Sequence, residues 1–87
     1  ITKEKLHSVG RAERYMRELG YRNIRVRSDG ETARIELMPE EISSFVSKVN
    51  LPALVETFQG LGFTYVTLDL EGYKSGKLNR VLSKTSV

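Results

Sequence analysis

Eighty-seven residues with a formal net charge of +3, no Cys, no Trp and one His make a single domain spanning 1–87 and exclude two domains. Without Cys there is no disulfide framework, no thiolate nucleophile and no zinc site of the usual Cys type, which fits a reducing compartment such as the cytoplasm. Charged residues at 29% and apolar residues at 39% exclude a disordered chain, and no apolar run approaches the roughly 20 residues of a membrane helix.

Residues 2–19 read as a helix, because Leu6, Val9, Ala12, Met16 and Leu19 recur at three- and four-residue steps and make one apolar face. Thr2 is the candidate cap, with Lys5 where a capping box wants Glu or Gln. Gly20 is the left-handed stop, after which Tyr21 folds back on the last turn. Residues 24–28 alternate, with Ile24 and Val26 on one face and Arg25 and Arg27 on the other. Asp29-Gly30 signals a hairpin. Residues 32–37 alternate again, with Ala33, Ile35 and Leu37 inward and Arg34 and Glu36 outward.

Pro39-Glu40-Glu41 opens a short helix, with proline and acids where the helix N-terminus favours them. It carries Ile42, Phe45 and Val49 on its apolar side, with Val46 beside them. Asn50 caps a further helix with Pro52 in its first turn, Leu54, Val55, Phe58 and Leu61 as its buried stripe and Gly62 as its stop. Residues 65–70 make a third strand, with Val66, Leu68 and Leu70 on one face and Tyr65, Thr67 and Asp69 on the other. Residues 79–82 add a turn of helix, and the last five residues fray. Leu19-Gly20-Tyr21 and Leu61-Gly62-Phe63 echo one another as helix–Gly–strand units, an effect of shared capping chemistry. The order αββααβ predicts an α+β two-layer sandwich, a three-stranded sheet with helices on one face.

The charge is unevenly placed. Residues 1–34 hold nine Lys/Arg against five acids, residues 35–72 one Lys against six acids, and residues 73–87 four Lys/Arg and no acid. The basic first third points to an anionic partner or to a solvated surface. The second sheet face, predicted bare, carries Arg25, Arg27, Arg34, Glu36, Tyr65, Thr67 and Asp69. Three Arg on two paired strands either converge on a phosphate or carboxylate or pair across strands with Glu36 or Asp69. Glu13 falls on the flank of the apolar stripe of its helix, where a carboxylate needs a partner, a metal or a boundary; Arg17, four residues on, is one candidate.

His7 has no partner at metal-ligand spacing. Ser28, Ser43 and Ser75 lack a His/Asp constellation, and no Gly-rich phosphate loop is present. A self-contained enzyme is not expected, nor any cofactor in these residues. Nucleic acid could follow Arg11, Arg14 and Arg17 or the Arg face, but Tyr65 is the sole stacking platform on the sheet, which disfavours it.

The strand pair Ile24-Arg25-Val26-Arg27 and Ala33-Arg34-Ile35-Glu36, the upstream Ile1-Thr2-Lys3-Glu4-Lys5-Leu6 and Ala12-Glu13, and above all Leu61-Gly62-Phe63-Thr64-Tyr65-Val66-Thr67-Leu68-Asp69-Leu70-Glu71-Gly72-Tyr73-Lys74-Ser75-Gly76 carry a resemblance. Together and in order they resemble the C-terminal domain of the ATP-dependent sacrificial sulfur transferases (LarE-like) of the PP-loop ATP-pyrophosphatase superfamily. The resemblance implies an N-terminal PP-loop domain that binds ATP with magnesium and adenylates a carboxylate of a pyridinium mononucleotide. Sulfur then passes to that carboxylate, in many members from a protein Cys, for the nickel-pincer cofactor. It implies that the present residues are inactive alone, an expectation that agrees with a chain opening on Ile1 rather than Met. It also implies that Arg25 and Arg27 bind substrate phosphate or carboxylate, that Arg34 and Glu36 match motif positions, and that Glu13 lies near the sulfur site as a metal ligand in the complete enzyme. Residues 69–76 would dock on the catalytic domain or a neighbouring subunit of a homo-oligomer. Ser28-Asp29 departs from the family, where a His often stands near the turn. Two other readings stay open: an RNA- or tRNA-contacting module of a PP-loop thiolation enzyme, and a purely structural oligomerisation domain.

Overall fold

A computed structural model describes residues 3–73. The chain runs α1 (Lys3–Glu18), β1 (Arg25–Asp29), β2 (Thr32–Glu36), α2 (Pro39–Lys48), α3 (Leu51–Gly60) and β3 (Tyr65–Leu68). This is the expected αββααβ order and an α+β fold. The sheet is mixed, in the order β1-β2-β3, with β1 antiparallel and β3 parallel to β2. The parallel pair needs a long crossover, and α2 with α3 supply it.

Both long-helix stops use one device. After α1, Gly20 has φ +104°, its N–H donates to the Arg17 carbonyl at 3.0 Å, and the Tyr21 N–H donates to the Met16 carbonyl at 3.1 Å. After α3, Gly62 has φ +110°, with Gly62 N–H to Gln59 O at 3.1 Å and Phe63 N–H to Phe58 O at 3.2 Å. This is the two-bond Schellman pattern, which a left-handed glycine permits. The Leu-Gly-aromatic echo is therefore a repeated cap. Each cap delivers an aromatic ring to the interior: Tyr21 meets Phe45 edge-on at 5.3 Å, and Phe63 lies 6.2 Å from Phe58.

The core is filled by Ala12 and Met16 of α1, Val26, Ala33, Ile35 and Leu37 of the hairpin, and Phe45, Leu54, Phe58 and Phe63. At the start of α3, the Asn50 side chain accepts the Ala53 N–H at 3.1 Å. Residues 79–82, the final five residues and Thr2 lie outside the described residues.

Three expectations need correction. Leu6 and Leu19 do not join the buried stripe, being 57% and 40% exposed. The first turns of α1 meet the loop after α3 through polar groups instead: Lys5 Nζ donates to the Gly62 carbonyl at 2.8 Å and Ser8 Oγ to the Leu61 carbonyl at 2.6 Å. Leu70 is not a strand residue and is 82% exposed. The Asp69 N–H still bonds the Ile35 carbonyl at 2.9 Å, but the Asp69 side chain accepts the Glu71 N–H at 2.9 Å and turns the chain out of the ladder. The hairpin loop falls one residue later than its signal: Asp29 pairs with Thr32, and Gly30, at φ +63°, is the first of two loop residues. No helix among the described residues is long and apolar enough to cross a membrane.

Candidate functional site

The strand register sets the second sheet face. Arg25 stands opposite Glu36, Arg27 opposite Arg34, and Arg34 beside Thr67. All three Arg are exposed, but Glu36 is not the solvated carboxylate expected: it is 3% exposed. The guanidinium groups of Arg27 and Arg34 account for this. Arg27 Nε meets Glu36 Oε1 at 3.3 Å and Arg34 Nε meets Oε2 at 3.3 Å. A carboxylate removed from water needs such partners on its oxygens. The pairing alternative thus holds for these two arginines, with Glu36 as the shared acid.

Arg25 leaves that cluster and turns to Tyr73, with its guanidinium carbon 5.8 Å from the ring centroid. Tyr73, through a side-chain hydrogen bond and its charge, then Glu13 and Glu36, hold Arg25 above the ordinary guanidinium value. Tyr73 arrives there because its N–H donates to the Leu37 carbonyl, which ties the segment after β3 to the end of β2. Gly72 makes this approach possible: a Cβ at its position would collide with the backbone of Leu37 and Pro39.

Glu13 enters from α1. Its Oε2 accepts the Val26 N–H at 3.0 Å, so its partner is the backbone of β1 rather than Arg17. The i,i+4 ion pair of this helix is instead Arg14–Glu18, at 3.6 Å and well exposed. A cleft of about 480 Å³ opens between Glu13, Arg17, Arg22, Arg25, Met38 and Tyr73. Three guanidinium groups and one carboxylate give it a formal surplus of two positive charges, an environment that attracts anions. Neither Arg27 nor Arg34 lines the cleft.

Among the described residues no serine or histidine stands in a catalytic constellation. His7 and Ser43 are exposed on the helices, and Ser28 is half-buried in β1. Among the described residues no group of three or more His, Asp and Glu is placed to hold a metal ion, so Glu13 has no companion ligands there. Sequence reasoning missed Arg17, Arg22 and Tyr73 as cleft residues. The signal for the first two was the Gly20 stop, which reverses the chain so that residues on either side of it share a wall. For Tyr73 it was the glycine before it.

No protein-family model matches the sequence. Two known proteins do. An uncharacterised protein of Synechocystis is 67% identical over 84 residues, which cover 97% of this chain and 31% of that protein. The pyridinium-3,5-bisthiocarboxylic acid mononucleotide synthase of Lactiplantibacillus plantarum is 40% identical over 90 residues, covering 100% of this chain and 31% of the synthase. The chain thus spans under a third of the length of either relative. From end to end the chain is similar to a segment of that synthase.

Proposed function

We propose that the chain is the C-terminal substrate-binding and assembly domain of an ATP-dependent sulfur transferase of the PP-loop type. In this reading the complete enzyme adenylates and thiolates a carboxylate of a pyridinium mononucleotide for nickel-pincer cofactor synthesis. The observation that carries it is the 40% identity, along the whole chain, to a pyridinium-3,5-bisthiocarboxylic acid mononucleotide synthase. The site supports it. A pyridinium mononucleotide bears phosphate and carboxylate groups around a cationic ring. Arg25 in the cleft, with Arg27 and Arg34 on the adjoining sheet face, offers guanidinium forks suited to the anionic groups. The Glu13 carboxylate on the cleft wall is complementary to the ring.

ATP and magnesium belong, in this proposal, to an N-terminal PP-loop domain. Glu13 would be one ligand of a metal completed by residues of that domain, since no group of three or more His, Asp and Glu among the described residues could hold the ion, and no bond-making step is assigned to this chain. Its contribution is preorganised positive charge, which holds an anionic substrate without reorganising. The domain also docks on its catalytic partner and takes part in a homo-oligomer.

The test is a full-length enzyme carrying Arg25→Ala together with Arg27→Ala. Sulfur transfer to the mononucleotide should collapse while the protein remains folded by circular dichroism. Normal sulfur transfer in that double variant would falsify the proposal.

A further inference from the structure

Glu36 is the buried charged residue among those described. It lies on the sheet face turned away from the helices. One guanidinium can fill both oxygens of a carboxylate by itself, through two N–H donors. Here two arginines share the task. Each meets a separate oxygen through its Nε, at 3.3 Å in both cases. Both side chains are about half exposed, at 50% and 45%, so solvent reaches the guanidinium groups.

This is more positive charge than the fold requires. One cation neutralises one buried anion. Arg27 and Arg34 are also direct cross-strand partners, a position in which like charges repel. Arg25, opposite Glu36 in the register, adds a third positive charge nearby. A surplus held this way is accounted for if an anion from outside completes the set.

We propose that Glu36 is a positioning residue: it holds Arg27 and Arg34 by their Nε atoms from beneath, so that their Nη donors together grip one phosphate- or carboxylate-type group of the ligand. This rests on the anion-binding role proposed above and names the residue that sets its geometry. Arginines anchored at Nε lose fewer rotamers on binding than free ones. The anchor would act as outer partners of a metal ligand do, by fixing the orientation of the group that touches the ligand.

The test follows the arginine Nε–Hε resonances of the 87-residue chain during titration with inorganic phosphate at constant ionic strength. In the unaltered chain Arg27 and Arg34 should shift together, with one shared midpoint in roughly the millimolar range. Glu36→Gln makes the face more positive, so simple attraction would tighten phosphate binding. A positioning role predicts the opposite, weakening by about tenfold, because the amide presents one oxygen and turns an NH₂ toward the other guanidinium. Glu36→Asp keeps both oxygens and should recover part of the loss. Unchanged or tighter binding by a folded Glu36→Gln chain overturns the proposal. Should that variant not fold, separate midpoints for Arg27 and Arg34 in the unaltered chain overturn it equally, and a shared midpoint supports it. A response at Arg25 with silence at Arg27 and Arg34 removes the role of Glu36 and leaves the cleft reading standing. Silence at all three removes both.

Discussion

The Glu13 carboxylate accepts the Val26 N–H at 3.0 Å, so one side chain of α1 closes the sheet edge that β2 does not pair. An open edge is a liability that proteins cover with a helix or a charge, and this bond uses both. It also places a carboxylate at the wall of the cleft. Glu13→Ala leaves a part-buried donor without a partner, at a cost of about 1–3 kcal/mol. For a chain of this size that corresponds to a fall in Tm of roughly 4–8 °C per kcal/mol. Glu13→Gln keeps an acceptor oxygen and should lose much less. Thermal melts of the two variants decide it: equal falls would show that charge, not the Val26 bond, is what Glu13 contributes.

The raised proton affinity of Arg25, due first to Tyr73 and then to Glu13 and Glu36, has a definite sign. A cation whose pKa rises on folding contributes its stabilisation in full below the unfolded value. It loses that contribution only as pH climbs past the raised one. Both values lie far above neutrality, so Arg25 stays charged across roughly pH 5 to 9. Anion binding at the cleft should then follow the ligand. A phosphomonoester should bind more tightly as pH rises through about 6, where its second proton leaves, and hold level to about pH 9. Calorimetric titrations of a ribose phosphate across this range check the point; a decline on the alkaline side would mean that a titrating protein group, not Arg25, carries the site.

Much of the scaffold is readable in the sequence because its signals are local. Ala33, Ile35 and Leu37 alternate and are buried. Gly20 and Gly62 stop helices because each adopts a positive φ, and Asn50 caps because its own side chain reaches Ala53. What escapes reading depends on distant chain. Periodicity tells which side of α1 is apolar but not which positions along it find a partner, and Leu6 and Leu19 remain exposed. Alternation puts Glu36 on the outer face but cannot show that two arginines fold over it. Arg17, Arg22 and Tyr73 share one cleft through a helix cap and a contact spanning β2 and the segment after β3, neither of which is a spacing.

Asn50 offers a separate test of that local code. Its side chain accepts the Ala53 N–H at 3.1 Å, and α3 has no acidic residue in its first turn. Asn50→Ala should therefore cost about 1 kcal/mol. Asn50→Asp keeps the cap and adds a negative charge at the positive end of the helix dipole, so it should be neutral or stabilising by about 0.3–1 kcal/mol at low salt. Denaturant melts in low and high salt separate the two contributions. A gain in Asn50→Asp that survives high salt would not be a dipole effect.

Gly72 joins the fold to the site. It is buried, sits at φ +83°, and a Cβ there would lie 3.1 Å from the Pro39 nitrogen and closer still to the Leu37 carbonyl oxygen. Backbone atoms cannot swing aside as a side-chain tip can, so Gly72→Ala has to displace the 69–73 segment. Strain at such a position costs about 1–3 kcal/mol. The displacement carries Tyr73 away from Arg25 as well. Tyr73→Leu separates the two effects, since it removes the ring facing Arg25 and leaves the Tyr73 N–H bond to Leu37 intact. Gly72→Ala should lower Tm and shift the Arg25 Nε–Hε resonance together. Tyr73→Leu should shift the resonance with a much smaller change in Tm, and should weaken phosphate binding at the cleft by removing the partner that fixes the Arg25 guanidinium. An Arg25 resonance that stays in place in both variants would mean that Tyr73 does not hold Arg25, and that the cleft owes its geometry to α1 and β1 alone.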